Sequence, residues 1–230
     1  MNKQLALAIQ LNDEATLEDF CWTGNTLVQH HITQVIQGAG EPFLYFWGKQ
    51  GSGKSHLLQA CCQALSKIKS SIYMPLKLLK DLGPEILVGL EEQSLISIDD
   101  IDAIAGDKEW EEALFHLYNR VRDNGQSTLI ISGHQPPIHC PIMLPDLKSR
   151  LSWGLVMQLH ELEEDDKVST LQALAIKRGF SLPASVVQFL LSRCARNMHD
   201  LQILLNQLDE ASLVAQRKIT IPFVKRTLNI

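Results

Sequence analysis

The feature that most restricts the fold is a glycine-rich octapeptide, G-x-x-x-x-G-K-S at residues 48–55, between an apolar run and an amphipathic helical segment. Glycines let successive backbone N–H groups turn inward around a phosphate, and the helix that follows adds the positive end of its dipole. In such a loop the lysine reaches the β- and γ-phosphates, and the serine hydroxyl binds Mg²⁺. We therefore predict a site for ADP or ATP with Mg²⁺, in which Ser55 is a metal ligand and the nucleotide-binding residues are Gly48, Gly51, Ser52, Gly53, Lys54 and Ser55.

A second part of the predicted site follows the apolar run Leu95–Ile98, where Asp99 and Asp100 come next in the chain. A buried strand that ends in an aspartate places Asp99 beside the Mg²⁺, so we predict Asp99 as a second metal ligand. Asp100 is predicted to polarise an attacking water as a general base. Two alternatives are open from the residues alone: Asp100 caps the turn that follows, or Asp102 takes over either role.

Short apolar runs alternate with amphipathic helical segments through the first two thirds of the chain, which is the pattern of an α/β domain. The runs are almost continuously apolar, as strands covered on both faces require. We predict a P-loop α/β domain with a five-stranded, mainly parallel sheet. Its predicted strands are Phe43–Trp47, Ser71–Leu76, Leu95–Ile98, Thr128–Ser132 and Leu155–Leu159.

The strands stop after about residue 162, and the rest of the chain shows helical stripes. Thr220 is predicted to cap the last helix, with Pro222 in its first turn. The charge changes at the same place, because residues 1–166 carry a net charge of −11 and residues 167–230 a net charge of +6. We therefore predict an α/β nucleotide-binding domain over residues 16–162 and a small all-helical lid domain of four helices over residues 163–230.

The composition excludes several classes of protein. A net charge of −5 argues against a protein that holds DNA through overall positive charge. The five cysteines include no C-x-x-C pair, which argues against a zinc site and a disulfide framework and fits a reducing cytoplasm. No apolar run is long enough to cross a bilayer and no signal peptide is evident, so we predict a cytoplasmic protein without a membrane partner.

Four stretches resemble the AAA+ family and, within it, the relatives of the bacterial replication initiator DnaA: IDDIDAIAGD, LYNRVRD, LPDLKSRLSWGL and ITIPFVKRTL. The resemblance is closer to the shortened DnaA relatives of the Hda family, which inactivate DnaA. It covers the chain from about residue 16 to the C-terminus. It implies an AAA+ P-loop domain followed by a helical lid.

The resemblance also gives Arg150 a role, because this residue takes the position of the AAA+ arginine finger. A guanidinium presented to the γ-phosphate of a neighbouring subunit stabilises the charge of the transition state. From the residues alone, an ion pair between Arg150 and Asp146, one helical turn earlier, is an equal alternative.

Two further positions carry over from the family as nucleotide contacts. Ser132 lies where the family places its sensor I residue, which reads the γ-phosphate, although the acidic residue that follows two positions later is His134 here. His199 lies at the sensor II position, where DnaA and many relatives carry arginine. A neutral imidazole is a weaker phosphate partner than a guanidinium, so we predict impaired sensing of ATP and retention of ADP.

The N-terminal residues 1–15 are predicted to form a peptide that binds the sliding clamp of the DNA polymerase, its β subunit. Residues 4–9 resemble the Q-L-x-L-x-[FL] peptide by which bacterial proteins dock on this clamp. Extended peptides of this kind seat alternate apolar side chains in pockets while a polar side chain fixes the register. The resemblance implies Gln4 as the register residue and Leu5, Leu7 and Ile9 as the anchors; the alternative is an amphipathic strand packed on the core.

The leading hypothesis is therefore a regulatory adaptor, nucleoid- and replisome-associated in the cytoplasm. It binds the clamp and, with bound ADP, stimulates hydrolysis of the ATP on DnaA, so that replication does not re-initiate. The hypothesis implies weak turnover of the chain's own nucleotide, allows a homo-oligomer, and predicts no direct sequence-specific DNA binding. The alternative is a DNA-associated AAA+ ATPase, such as a helicase loader or a transposition ATPase. A small-molecule kinase is disfavoured, because no acceptor pocket or arginine-rich lid is evident.

Overall fold

The computed structural model describes residues 15–194 and 197–230, and the side chain of His199 lies outside the described part. The predicted clamp-binding residues Gln4, Leu5, Leu7 and Ile9 also lie outside the described residues. Among the described residues, no helix is long and apolar enough to cross a membrane.

The described chain alternates strands and helices up to β5 and is helical after it. The strands are β1 (Phe43–Trp47), β2 (Ser71–Pro75), β3 (Leu95–Asp99), β4 (Thr128–Gly133) and β5 (Leu155–Gln158). The first five helices are α1 (Thr26–Ile36), α2 (Lys54–Ser66), α3 (Leu76–Leu79), α4 (Lys108–Asn124) and α5 (Pro145–Leu151). Four helices follow, α6 (Glu164–Lys177), α7 (Ala184–Arg193), α8 (Met198–Ala215) and α9 (Ile221–Leu228).

The five strands form one parallel sheet in the order β2-β3-β4-β1-β5. The predicted five-stranded sheet is confirmed: β1 has the predicted ends, and each of the other strands differs from the prediction by one residue at its carboxyl end. The carboxyl ends of β1, β3 and β4 meet at one edge of the sheet, because parallel strands end on the same side. This is the edge at which ligands bind in open α/β sheets.

The core explains why the strands are so apolar. Every residue of β3 is buried, because helices and turns cover both faces of the sheet. Helix α4 packs one stripe against the sheet, with Trp110, Leu114, Leu117 and Val121 buried, and the Tyr118 ring is stacked on Phe43 with 4.1 Å between centroids. The helix begins after Asp107, whose side chain accepts hydrogen bonds from the next turn.

The C-terminal helices have a hydrophobic cluster of their own. Leu171 of α6, Val187 of α7 and Leu205 of α8 are among its buried members. The predicted start of the last helix is confirmed, since the Thr220 hydroxyl accepts a hydrogen bond from the Phe223 N–H and a proline stands in the first turn. The Lys167 ammonium is buried and pairs with the Glu161 carboxylate at 2.9 Å, which offsets the cost of burying the charge.

The contacts divide the described residues into two compact units. The first contains residues 15–20 with Leu27–Trp47 and Lys54–Gln158. The second contains Cys21–Thr26, Gly48–Gly53 and Leu159–Ile230. The loop Gly48–Gly53 is thus grouped with the C-terminal helices, whereas the residues that follow it belong to the unit with the sheet. The division into an α/β domain over residues 16–162 and a helical lid domain over residues 163–230 stays a prediction.

Candidate nucleotide-binding site

The glycine-rich loop connects β1 to α2, as the sequence predicts, and its backbone requires glycines. Gly51 and Gly53 have φ angles of +87° and +89°, which L side chains rarely adopt. At Gly48 the limit is space, because a Cβ atom there would lie 2.5 Å from the carbonyl oxygen of Leu159 and 2.7 Å from Ser52 Oγ. The loop therefore excludes side chains at these three of its positions.

The Ser52 hydroxyl supports a phosphate ligand at this loop. Ser52 is buried, and its Oγ has no hydrogen-bond partner among the described residues. A buried hydroxyl without a partner is costly, and an acceptor such as a phosphate oxygen would satisfy it. The residues present therefore fit the group that the motif predicts.

Within the second unit, the start of α8 lies beside the loop. A Cβ atom on Gly51 would lie 3.1 Å from Asn197 Cβ. Asn197 caps α8 by accepting a hydrogen bond from the Asp200 N–H at 2.9 Å. The predicted sensor II residue His199 is in the first turn of this helix, and its side chain is outside the described part of the chain.

Asp99 ends β3 and is almost completely buried at the edge of the sheet, where the sequence predicts a magnesium ligand. Both of its carboxylate oxygens accept hydrogen bonds from hydroxyl groups. The Tyr73 hydroxyl donates to Oδ2 at 2.6 Å, and the Ser132 hydroxyl donates to Oδ1. Ser132 Oγ also accepts a hydrogen bond from the Asp100 N–H at 3.0 Å. Ser132, the predicted sensor I residue, is thus hydrogen-bonded to Asp99, the predicted metal ligand.

Lys54 begins α2 and is buried close to this acidic edge. Burial lowers the pKa of its ammonium group, and the negative charges of Asp100, Asp99 and Asp102 act in the opposite direction. Ser55, the other residue predicted at this end of the helix, is exposed. The structure thus brings the predicted lysine and the predicted acids into one electrostatic cluster.

Asp100 occupies the N-cap position of the turn that follows it, but its carboxylate does not form the cap hydrogen bond. It has a left-handed backbone (φ 57°), and its side chain makes no cap hydrogen bond to the turn Ile101–Ile104. Burial raises the pKa of the Asp100 carboxyl and the neighbouring Asp99 raises it further, while His134, Lys54 and Lys77 lower it. The role of Asp100 as a general base stays a prediction.

Asp102 contacts His134, and the sequence does not indicate this pair. Its Oδ2 accepts a hydrogen bond from the His134 N–H at 2.8 Å and lies 2.9 Å from the His134 Nδ1. This pair joins the turn after β3 to the residue that follows β4. His134, which replaces an acidic residue of the family, thus contacts an acid on the neighbouring turn.

Arg150 lies near the end of α5, and the alternative of an ion pair with Asp146 is not found. Its guanidinium carbon is 5.4 Å from the centroid of the Trp153 ring, within range of a cation–π interaction. Over residues 15–194 and 197–230, no carboxylate pairs with this guanidinium. The Trp153 side chain beside it is exposed.

Two family models match consecutive parts of the chain. The model described as the bacterial DnaA ATPase domain matches residues 88–158, and the model described as the lid domain of Hda matches residues 164–228. The chain is an Hda-like, DnaA-related AAA+ protein. The predicted family and fold class are therefore confirmed.

This Hda-like protein is also similar to one curated relative over its whole length and to solved structures in its fold. An uncharacterized protein of Haemophilus influenzae is 43% identical over 231 residues, which cover all of both chains. Domain III of the Thermotoga maritima replication initiation protein DnaA has a similar fold, with a TM-score of 0.81 and 23% identity over 96% of this chain and 98% of that one. DnaA from Aquifex aeolicus with bound AMPPCP gives a TM-score of 0.73 and 21% identity, covering 95% of this chain and 70% of that one.

Tyr73 and Glu111 make buried contacts in this Hda-like protein that the sequence does not predict. Tyr73 lies in the middle of β2 and donates its hydroxyl hydrogen to Asp99, and only the register of two neighbouring strands reveals this contact. Glu111 lies in the first turn of α4 and is fully buried. Its Oε1 accepts hydrogen bonds from the N–H groups of Gly106 (2.7 Å) and Met143 (3.0 Å), and its Oε2 from those of Met143 (2.9 Å) and Leu144 (2.6 Å).

The raised pKa of Asp100 predicts an effect on stability. Because the folded state binds this proton more tightly than the unfolded state, the ionised carboxylate reduces stability above its pKa. We expect Asp100→Asn to increase the free energy of unfolding at neutral pH, on the order of 1 kcal/mol. The gain should vanish as the pH falls through the carboxylate range, because both states are then protonated. Urea unfolding in EDTA at several pH values measures this; a variant less stable at neutral pH would contradict it.

Proposed function

We propose that this Hda-like protein is a regulatory adaptor that stimulates hydrolysis of the ATP bound to DnaA. The observation that carries the proposal is the state of Arg150. Arg150 is half-buried, and its guanidinium carbon lies 5.4 Å from the ring centroid of the exposed Trp153. Within the described residues it has no ion-pair partner to compete with a phosphate. Such a group is available to a neighbouring subunit's nucleotide.

The chemistry of the step follows from the guanidinium. Charge accumulates on the oxygens of the transferred phosphoryl group, and a planar, permanently charged guanidinium stabilises it through two parallel hydrogen bonds. Arginine fingers increase the rate of nucleotide hydrolysis by about 10³–10⁵-fold. In this proposal the ATP belongs to DnaA, and Arg150 is the catalytic residue that this chain supplies.

The chain's own nucleotide has a structural role in the proposal. Lys54 and the loop would hold the phosphates, and Ser55 and Asp99 would be the protein ligands of Mg²⁺. Asp99 would be the weaker of the two, because both of its carboxylate oxygens already accept hydrogen bonds from hydroxyl groups. Asp100 would polarise a water as the general base. With histidine at the sensor II position, we propose ADP as the working ligand and slow turnover by the chain itself.

The proposed location on DNA depends on the sliding clamp. Gln4, Leu5, Leu7 and Ile9 match the pattern of a clamp-binding peptide, and this match supports the partner. A protein of net charge −5 would then reach DNA through the clamp and not through its own surface.

The experiment is ATP turnover by purified DnaA in the presence of DNA-loaded clamp, with and without this chain. We expect faster turnover with the chain, and loss of the stimulation when Gln4→Ala removes the register residue. Gln10→Ala, just outside the peptide, is the matched control and should behave as the wild type. Turnover by this chain alone that is stimulated by DNA, with no effect on DnaA, would instead favour a helicase loader or a transposition ATPase.

A further inference from the structure

Tyr73, in the middle of β2, has a hydroxyl group that no part of the proposed mechanism uses. Tyr73 pairs with Ser97 in the parallel register of β2 and β3, which places its ring two residues from the end of both strands. Its hydroxyl donates to Asp99 Oδ2 at 2.6 Å. Gln59 of α2 donates to the same hydroxyl oxygen at 3.4 Å, so the phenolic hydrogen is directed at the carboxylate.

Each oxygen of the Asp99 carboxylate therefore already accepts one hydrogen bond from a protein hydroxyl. Ser132 donates its only hydroxyl hydrogen to Oδ1 and uses its oxygen to accept the Asp100 N–H. Hydrogen bonds from hydroxyl groups to a carboxylate are among the stronger ones in proteins, and stronger still in a buried place. Asp99 is almost completely buried, so water does not weaken this arrangement.

We propose that Tyr73 is a specificity-determining residue that competes with the hydrated Mg²⁺ for Asp99, so that this protein binds nucleotide almost independently of Mg²⁺. A carboxylate whose oxygens each already accept a strong hydrogen bond gains less from a cation than a carboxylate without such donors. Removing the phenolic hydroxyl would leave a buried anionic oxygen without a donor, and a water of the Mg²⁺ shell would then satisfy it. The inference rests on the nucleotide binding in the proposed function, but not on the clamp or on DnaA.

The test compares the affinity of the full-length protein for a fluorescent ADP in magnesium chloride and in EDTA. For the wild type we expect the two dissociation constants to agree within about twofold. For Tyr73→Phe we expect binding at least about tenfold tighter with magnesium than with EDTA. Asp99→Asn in the Tyr73→Phe background should remove the new magnesium dependence, because the competing carboxylate is gone.

Tyr45→Phe is the matched control, since Tyr45 is another buried tyrosine of the same sheet. Its hydroxyl donates to the Gln135 carbonyl oxygen at 3.0 Å and does not touch Asp99. The control should keep the wild-type ratio of dissociation constants. A wild type that binds ADP much more tightly with magnesium, or a Tyr73→Phe ratio that is unchanged, overturns the inference alone. A wild type that binds no nucleotide in either buffer overturns both this inference and the nucleotide role in the proposed function.

Discussion

Arg150→Ala is expected to reduce the stimulated hydrolysis of DnaA-bound ATP by about 10³-fold, the lower end of the range for arginine fingers. The loss should be in the rate of the chemical step, because the guanidinium is proposed to stabilise charge that develops in the transition state. Arg150 pairs with no carboxylate in the described part of the chain, so its removal should leave no buried charge without a partner. The protein should therefore stay folded and keep its affinity for the clamp.

Two further variants make this prediction specific. Arg150→Lys keeps the charge but loses the planar fork, so it should recover only a small part of the rate. Arg122→Ala is the matched control, because Arg122 is a surface arginine that pairs with the adjacent Asp123 at 2.9 Å. Rates measured in single turnover with loaded clamp give the comparison. If Arg150→Ala stimulates DnaA as well as Arg122→Ala does, Arg150 is not the finger.

The second large effect concerns Glu111, the buried carboxylate of α4. Glu111→Gln places an NH₂ group where backbone N–H groups of Gly106, Met143 or Leu144 need an acceptor. A buried donor left without an acceptor costs about 1–3 kcal/mol, and bonds to a charged acceptor are at the upper end. We therefore expect Glu111→Gln to lower the free energy of unfolding by about 3 kcal/mol.

The neighbouring Glu112 provides the control for this substitution. Its side chain is half exposed and pairs with Lys108 at 3.6 Å, a surface contact of small energy. Glu112→Gln should change the free energy of unfolding by less than about 0.5 kcal/mol in urea titrations of both variants. Similar stabilities for the two variants would show that the Glu111 hydrogen bonds contribute little.

Glu111 also connects the turn after β3 to the segment that leads into α5. Gly106 lies on the turn after the acidic end of β3, and Met143 and Leu144 lead directly into α5, which carries Arg150. The carboxylate thus fixes the entry to the α5 helix relative to the acidic edge of the sheet. Loss of the Glu111 hydrogen bonds should therefore affect the position of α5, and of Arg150 in it, before it affects the sheet.

Much of the fold follows from local signals in the sequence. The apolar runs that become β1 and β3 need burial on both faces, which only a covered parallel sheet provides. The start of α9 follows from Thr220 and the proline after it, because capping depends on residues that are close in sequence. The glycine loop is predictable for the same reason, since backbone angles at Gly51 and Gly53 and close contacts at Gly48 exclude other side chains.

The rest depends on contacts between residues far apart in the chain. Tyr73 and Asp99 are 26 residues apart, and Glu111 and Met143 are 32 apart, so strand register and helix packing decide whether they meet. The roles of Asp100 and Asp102 stay open in the sequence for the same reason. His134, 32 residues further along, binds Asp102, and no local pattern around either residue indicates it.

The central claim is that this protein promotes hydrolysis of ATP held by DnaA and not of its own nucleotide. The most direct measurement uses DnaA preloaded with radiolabelled ATP, DNA-loaded clamp, and this chain preloaded with unlabelled ADP, followed through a single turnover. The account predicts rapid release of labelled phosphate with the wild type and the rate of DnaA alone with Arg150→Ala. Release at the rate of DnaA alone with the wild type, or equal acceleration by Arg150→Ala, would contradict it.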